Sequence, residues 1–442
     1  MFFFEAERKA TDVSLQLSSA FTSPLTVLWW INYLIQDVLE VIMTAWTVPL
    51  NAFAFSLRLR DAFVGLALAG LAISILLFFL RQAKENVESI ETESKSSEMR
   101  EQIWLAMITI VACLIPVILV NRQVTLPDYS RYALASSVGV GILFSVILEK
   151  INVASLRASM IGFLLGISVL THHGNAIRIA DETAATRNFW WQVAWRAPQI
   201  KEGTTLIVSY PKGSLAEDYF IWGPANFIYF PEKQNSNPIQ IKLPGAVLTP
   251  DAINKITTNG GLETPLRRGN YLERDFGNIL VMMQSSENGC VRLINGNAPE
   301  LTSYDEDRLV LIAPYSKLEN VIAEGDSPNV PVQVFGEEPE QGWCYYYQKA
   351  DLARQRGEWE GILVLLAEAL DKGYYPAEGL EWMPFLQAYA VTGDIEKMHT
   401  TNKLIVGDKV LRLRACTIMT DLIEQETLTS EVQDFIQKKI CE

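Results

Sequence analysis

"AFVGLALAGLAISILLFFL", Ala62 to Leu80, is apolar throughout except for Ser74. At about 1.5 Å of rise per residue, a helix of this length crosses the roughly 30 Å hydrocarbon core of a bilayer. Similar runs recur on both sides of it. Ile103 to Val120 is a second span, with Pro116 inside it; bilayer helices tolerate proline when neighbouring groups satisfy the freed backbone. Tyr132 to Leu148 is a third, and its Gly and Ser residues suit close helix packing. Ala158 to Thr171 is short for a span and should continue as a helix past the membrane surface, stopping before Pro198.

Leu25 to Pro49 admits two readings. Trp29, Trp30 and Trp46 stand near its ends, as in an interfacial aromatic belt. Asn32, Gln36, Glu40 and Thr44 recur at four-residue spacing, so they share one side of a helix, with Asp37 beside them. A carboxylate inside a membrane segment points to function. The alternative is an interfacial helix, or a span whose polar seam (Asn32, Gln36) faces its neighbours. With this segment counted, the chain should carry about five spans. An inside N-terminus then leaves eight Lys and Arg on the inner side against four outside, so residues after about 172 should be extracytoplasmic. The charged stretch Arg81 to Gln102 reads as a solvated cytoplasmic loop.

Composition narrows the function. The 442 residues are 49% hydrophobic, with mean hydropathy +0.13 and formal net charge -14. There is no Lys/Arg-rich block, which argues against a nucleic-acid partner. Cys113, Cys290, Cys344, Cys416 and Cys441 show no CxxC spacing, arguing against a zinc site or a dense disulfide framework. A metal at the adjacent His172 and His173 would need distant His399 or a carboxylate as third ligand, so no metal site is expected.

From about Gly203 the pattern changes. "TTLIVSY", "YFIWG", "NFIYF", "IQIKL", "NILVMMQ", "CVRLI", "RLVLIAP" and "VPVQVFG" are short β-prone runs punctuated by Pro, Gly and Asn. They predict a β-rich (α+β) module of about seven strands, with a helix near Thr249 to Ile256. No Gly-rich phosphate loop, GxSxG elbow or HExxH motif occurs in it. "WCYYYQKADLARQRGEWEGILVLLAEALDKGYYP", Trp343 to Pro376, then reads as two amphipathic helices with a turn at Gly357. "AYAVTGDIEKM" repeats the turn at Gly393. Small residues let paired helices approach and Trp359 fills the turn, a register that resembles a tetratricopeptide unit. Tyr345, Tyr346 and Trp359 are the candidate interaction surface. The alternative is a helical lid packed on the β module. The resulting division is an N-terminal segment (1–24), a transmembrane helical domain (25–172), a membrane-exit helix (173–200), a β-rich domain (201–340) and a helical domain (341–442).

"NRQVTLPDYSRYALASSVGVGILF", "FWWQVAWRAPQIKEGTTLIV" and "VFGEEPEQGWCYYYQKADLARQRGEWE" together resemble the C-terminal half of a family of large bacterial polytopic membrane proteins. Their bundle is similar to that of glycosyltransferases that take sugars from polyprenyl-phosphate carriers. The resemblance implies the bacterial cytoplasmic membrane and a lipid-phosphate contact at Arg131 and Tyr132. It also implies a catalytic acid, for which Glu40, Asp37 or Asp61 would stand in, unless a second chain supplies it. A divalent metal would enter only with that activity; no other cofactor is expected. The sequence departs from the transferase pattern at Ala135, Ser136 and Ser137, where prolines are usual. Two functions follow as expectations. The first is a membrane-anchored module that binds a protein partner, through its helical repeat, or a cell-envelope polymer. The second is part of a transferase that uses a polyprenyl-phosphate sugar.

Overall fold

The computed structural model describes residues 13–46, 58–86, 95–126, 129–211, 217–235, 239–258, 260–267 and 270–441. The chain divides into two compact units, Met1–Asp181 and Glu182–Glu442.

In the first unit, helix α1 (Val13–Thr22) precedes α2 (Pro24–Leu39). Pro24 opens α2 where a missing N–H costs nothing, and the helix runs on through a π-helical turn, Glu40–Thr44. α3 (Leu59–Asn86), α4 (Lys95–Leu119), α5 (Ser137–Glu149) and α6 (Ala154–Arg196) follow. Leu25–Thr44, Leu59–Gln82, Met99–Leu119 and the helix Ala154–Arg196 are long and apolar enough to cross a membrane. The Leu25 to Pro49 segment is thus helical through Trp46, and its last residues lie outside the described ones. The charged stretch Arg81 to Gln102 is helical at both ends, inside α3 and α4.

The expectation of five spans needs correction at Tyr132 to Leu148. That stretch is split between a 3-10 turn, Ser130–Ala133, and the 13-residue α5. Such a helix is about 20 Å long, well short of a bilayer core. α5 begins deep along α4. A Cβ on Gly139 would meet the Ala106 carbonyl oxygen at 2.8 Å and the Ile110 nitrogen at 2.9 Å, so only glycine permits the contact. Gly139 therefore lies about 14–20 Å back from the end of α4, and Val124, between the two helices, packs beside its last turns against Ile110 and Leu114. α3 and α6 run antiparallel: Gly162 and Gly166 lie against Ile73, while His173 Nε2 meets the Asp61 carbonyl oxygen at 2.9 Å.

The second unit contains the end of α6, which continues unbroken to Arg196 as the Pro198 signal predicts. Its strands are short: β1 (Gln199–Ile200), β2 (Thr205–Ser209), β3 (Leu262–Glu263), β4 (Leu266–Arg267), β5 (Asn270–Tyr271), β6 (Arg274–Asp275), β7 (Ile279–Met283), β8 (Arg292–Leu293) and β9 (Val321–Ile322). β2 pairs in parallel with β7, which pairs antiparallel with β8; the other pairs are two-stranded ribbons. Every residue of β7 is buried because helices cover both faces of this small sheet. Leu206, Val208, Leu280 and Met282 face the end of α6 and α7 (Tyr219–Tyr229). Ile207, Ile279, Val281 and Met283 face α8 (Pro250–Thr257) and α9 (Asp307–Ile312).

The β-rich expectation is therefore corrected to a three-layer arrangement around a three-stranded sheet. "TTLIVSY", "NILVMMQ" and "CVRLI" supply its strands. "YFIWG" and "NFIYF" instead join into α7, whose Ile221, Ala225 and Ile228 are spaced for one buried helix face. Pro224 within α7 has no N–H to give the Phe220 carbonyl. Tyr210 donates to that oxygen instead at 2.8 Å, and Trp190 Nε1 donates to Tyr210 at 2.7 Å. "RLVLIAP" forms α9, and "VPVQVFG" forms the single turn α10 (Val332–Phe335).

The remainder is helical: α11 (Trp343–Arg356), α12 (Trp359–Asp371), α13 (Met383–Thr392), α14 (Ile395–Ile405), α15 (Lys409–Gln425) and α16 (Ser430–Phe435). α11 and α13 each end on a left-handed glycine, Gly357 (φ 71°) and Gly393 (φ 77°), followed by an acidic residue and the next helix. The two hairpins thus share one turn geometry. Two disulfides form, Cys290–Cys344 and Cys416–Cys441, while Cys113 in α4 is free. Cysteine spacing does not disclose either pairing.

Candidate functional site

In the first unit, the polar residues of α2 separate by depth. Asp37 is fully buried, whereas Asn32, Gln36 and Glu40 are half-buried along the margin of the same helix. Asp37 continues the stripe formed by Leu34, Val38 and Val41, which packs with Ile110, Leu114, Val124 and Val140. The Glu40 carboxylate is bonded within the π turn by Thr44. Sequence spacing put Glu40 in the seam with Asp37 beside it; packing puts Asp37 inside.

Asp37 Oδ1 accepts the Val124 N–H at 3.3 Å. Val124 belongs to the irregular segment between α4 and α5. Buried non-helical backbone persists only when protein or trapped water satisfies its polar groups. Asp37 supplies one such acceptor across 87 residues of sequence.

The same segment leads to Arg131 and Tyr132. The Tyr129 N–H donates to Thr125 O at 2.9 Å, and the rings of Tyr129 and Tyr132 stack 5.9 Å apart. Arg131 is exposed; its guanidinium stands 5.2 Å from the Tyr129 ring and 4.9 Å from the Tyr132 ring. Arg122 lies 5.9 Å from the Tyr129 ring. Exposed cation–π contacts of this kind are worth about 0.5–1 kcal/mol each, enough to orient a guanidinium but not to bury it. The structure thus bonds Asp37 to Val124, seven residues before Arg131, and groups Arg131 and Tyr132 with Arg122 and Tyr129, which sequence reading passed over. The stretch "NRQVTLPDYSRY" carried the signal, two arginines and two tyrosines flanking a span. Asp61 pairs with Arg60 at 3.8 Å, apart from that loop in sequence and bonding.

In the second unit, a buried ion network fixes the first hairpin to the end of α6. Arg196 Nε donates to Asp351, and Arg354 donates to both Asp351 and Glu300. Arg196 also reaches Gln355 at 2.8 Å, and Arg354 reaches Gln387 at 2.9 Å. Burial opposes ionisation of Asp351, but two guanidinium groups outweigh it and hold the carboxyl below its ordinary range. At Glu300 burial, reinforced by the Asp351 charge, outweighs Arg354 and Arg292 and raises the carboxyl.

Of the three residues expected on an interaction surface, Tyr346 is buried, with Lys372 Nζ donating to its hydroxyl at 2.6 Å. It belongs to the core with Tyr347, Ala350, Ile362 and Phe385. Tyr345 is half-buried, edge-on to Trp195 at 5.3 Å. Trp359 is half-buried between the two helical cores, and its Nε1 donates to Glu426 at 3.0 Å. Val364, Tyr375, Leu404 and Leu413 are the large apolar side chains that these helices leave exposed among the described residues. No group of described residues has the composition of a metal site, and His173 is engaged by the Asp61 carbonyl.

No family model, curated protein or solved structure matches this chain.

Proposed function

We propose that the chain is a multi-pass membrane protein whose Glu182–Glu442 unit lies on the extracytoplasmic side and offers its stacked helices, as a tetratricopeptide-like scaffold, to a protein partner or a cell-envelope polymer. The observation that carries this reading is the distribution of cysteines. All four in the second unit pair, while the one in an apolar helix stays free. Disulfides persist in oxidising compartments and are rare in the cytosol. Further support comes from the repeated glycine turns at Gly357 and Gly393 and from the buried ion network, which together make the helices a rigid platform. The test has two stages. Tyr304 is 87% exposed, so Tyr304→Cys in a Cys113→Ser background should label with a membrane-impermeant thiol reagent in cells whose outer barrier is permeabilised. A photocrosslinking residue at Val364 or Tyr375 should then yield a discrete adduct in living cells. Labelling only after the inner membrane is lysed would overturn the reading.

One observation favours a second reading, that of a glycosyltransferase component using a polyprenyl-phosphate sugar: Asp37 is bonded to the Val124 N–H, seven residues before Arg131 in the sequence. Arg131 would pair with the carrier phosphate through its planar fork, which lysine cannot reproduce. Polyprenyl-phosphate binding by the purified protein would then fall at least tenfold, about 1.4 kcal/mol, in Arg131→Lys. Weak binding that is equal in wild type, Arg131→Lys and Glu40→Gln favours the first reading.

A further inference from the structure

The loop Ser285–Cys290 joins β7 to β8, and it is held almost wholly by side chains rather than by a sheet ladder. Gln284 Nε2 donates to Gly289 O at 2.8 Å, and Gln192 Oε1, on α6, accepts the Val291 N–H at 2.8 Å. Gln348 Nε2, on α11, donates to Val291 O at 2.7 Å. The Cys290–Cys344 disulfide links the loop to the start of α11. Two further holders are acidic, and both come from the turn before α13. Glu381 accepts the Cys290 N–H with one carboxylate oxygen (2.8 Å) and the Ala377 N–H with the other (3.1 Å). Glu378 accepts the Ser286 hydroxyl at 2.6 Å, and Ser286 Oγ in turn accepts the Gly289 N–H at 3.0 Å. Gly289 lies against the Glu378 carboxylate, which a Cβ at that position would push aside.

We propose that Glu378 and Glu381 form a proton-operated clamp that ties the disulfide loop of the α/β layer to the helical half of the unit. Glu381 is 1% exposed and has no cationic partner among the described residues. Burial, reinforced by the Glu378 charge and opposed by the backbone N–H groups, pushes its carboxyl up to about 7. The other ionisable groups facing the pair do not relieve this. Tyr347 on α11 is kept neutral by burial, Arg292 on β8 is bonded to Asp305 and attracts Glu378 but is not among the charges acting on Glu381, and Glu287 in the loop is itself acidic. A carboxyl raised above its ordinary 4.5 stabilises the closed clamp at low pH, and that contribution fades as pH rises from 4.5 to about 7. Acidification closes the clamp; neutral and alkaline pH leave an unpaired charge in it.

Cys290 is 2% exposed in the closed clamp, so reduction of Cys290–Cys344 reports on opening. If opening returns Glu381 to its ordinary titration, the open fraction rises about 25-fold between pH 5.5 and 8. The experiment follows reduction of both disulfides of the full-length protein by a water-soluble phosphine, using Cys416–Cys441 as reference in the same molecule. The ratio of the two rates should rise about 25-fold in wild type. It should stay flat in Glu381→Gln, which keeps an acceptor for Cys290 without the charge. A wild-type ratio that is independent of pH overturns the proposal without recourse to any variant. So does a Glu381→Gln protein that keeps the full rise.

Discussion

Asp351 offers the sharpest test of how the second unit is held together. It is buried and accepts from Arg196 and Arg354, and Arg196 is itself 1% exposed. In Asp351→Ala, Arg196 keeps only Gln355 among the described residues and Arg354 keeps Glu300 and Gln387, so the Arg196 charge stays buried without a described counter-ion. Breaking one side of such a pair costs about 3–5 kcal/mol, most of it the penalty of the orphaned charge. In a unit of this size that lowers Tm by roughly 6–20 °C. Removing charge and counter-charge together, as in Arg196→Met with Asp351→Leu, should recover much of the loss, because well-packed apolar pairs replace buried ion pairs at little cost. The pH dependence has a defined sign. The guanidinium groups hold Asp351 below its ordinary 3.8, so its stabilisation is present above pH 3.8 and is lost as pH falls further. Thermal and denaturant unfolding of the purified protein would measure both effects. A cost under about 1 kcal/mol for Asp351→Ala, with the double substitution merely additive, would refute the claim that this network fixes the hairpin.

Three further outcomes are expected. Asp37→Ala should cost about 1–3 kcal/mol by orphaning the Val124 N–H, while Asp37→Asn, which keeps an acceptor, should cost less; unfolding in detergent would separate them. Equal losses would mean that the charge, not the hydrogen bond, holds the loop. Gly139→Leu should destabilise the first unit by about 1–3 kcal/mol or more, because the side chain meets the backbone of α4 rather than a movable group. Trp359→Ala should cost about 2–3 kcal/mol, below the 3–5 kcal/mol of a fully buried indole, since the ring is half-buried and loses one bond to Glu426. A melting temperature unchanged by that substitution would show the ring to be dispensable at the junction.

The features legible in the sequence are those set by local physics. Ala62 to Leu80 is a membrane-length helix because every turn of it is apolar, whatever surrounds it. The long helix through Arg196 stops where Pro198 restricts the residue before it. The hairpin turns at Gly357 and Gly393 need a left-handed residue, and glycine announces that need. The seam on Leu25 to Pro49 was visible as a spacing, but its working member was not. Asp37 is buried because Val124 presents an N–H there, and no helical periodicity encodes a contact with so distant a loop.

Tertiary structure alone decided the rest. "YFIWGPANFIY" became one helix rather than two strands because Tyr210 could satisfy the carbonyl that Pro224 left open. β7 kept its strand form because helices arrived on both of its faces. The disulfides, the arginine network and the glutamate clamp each join residues far apart in the chain. Charge, hydrogen-bonding capacity and apolar area can be read residue by residue, but which groups meet depends on how the layers pack. The sequence by itself determined the long apolar helices, the stop before Pro198 and the glycine turns at Gly357 and Gly393. Packing determined which polar groups were buried, and a buried polar group must find its partner wherever the fold brings one within reach.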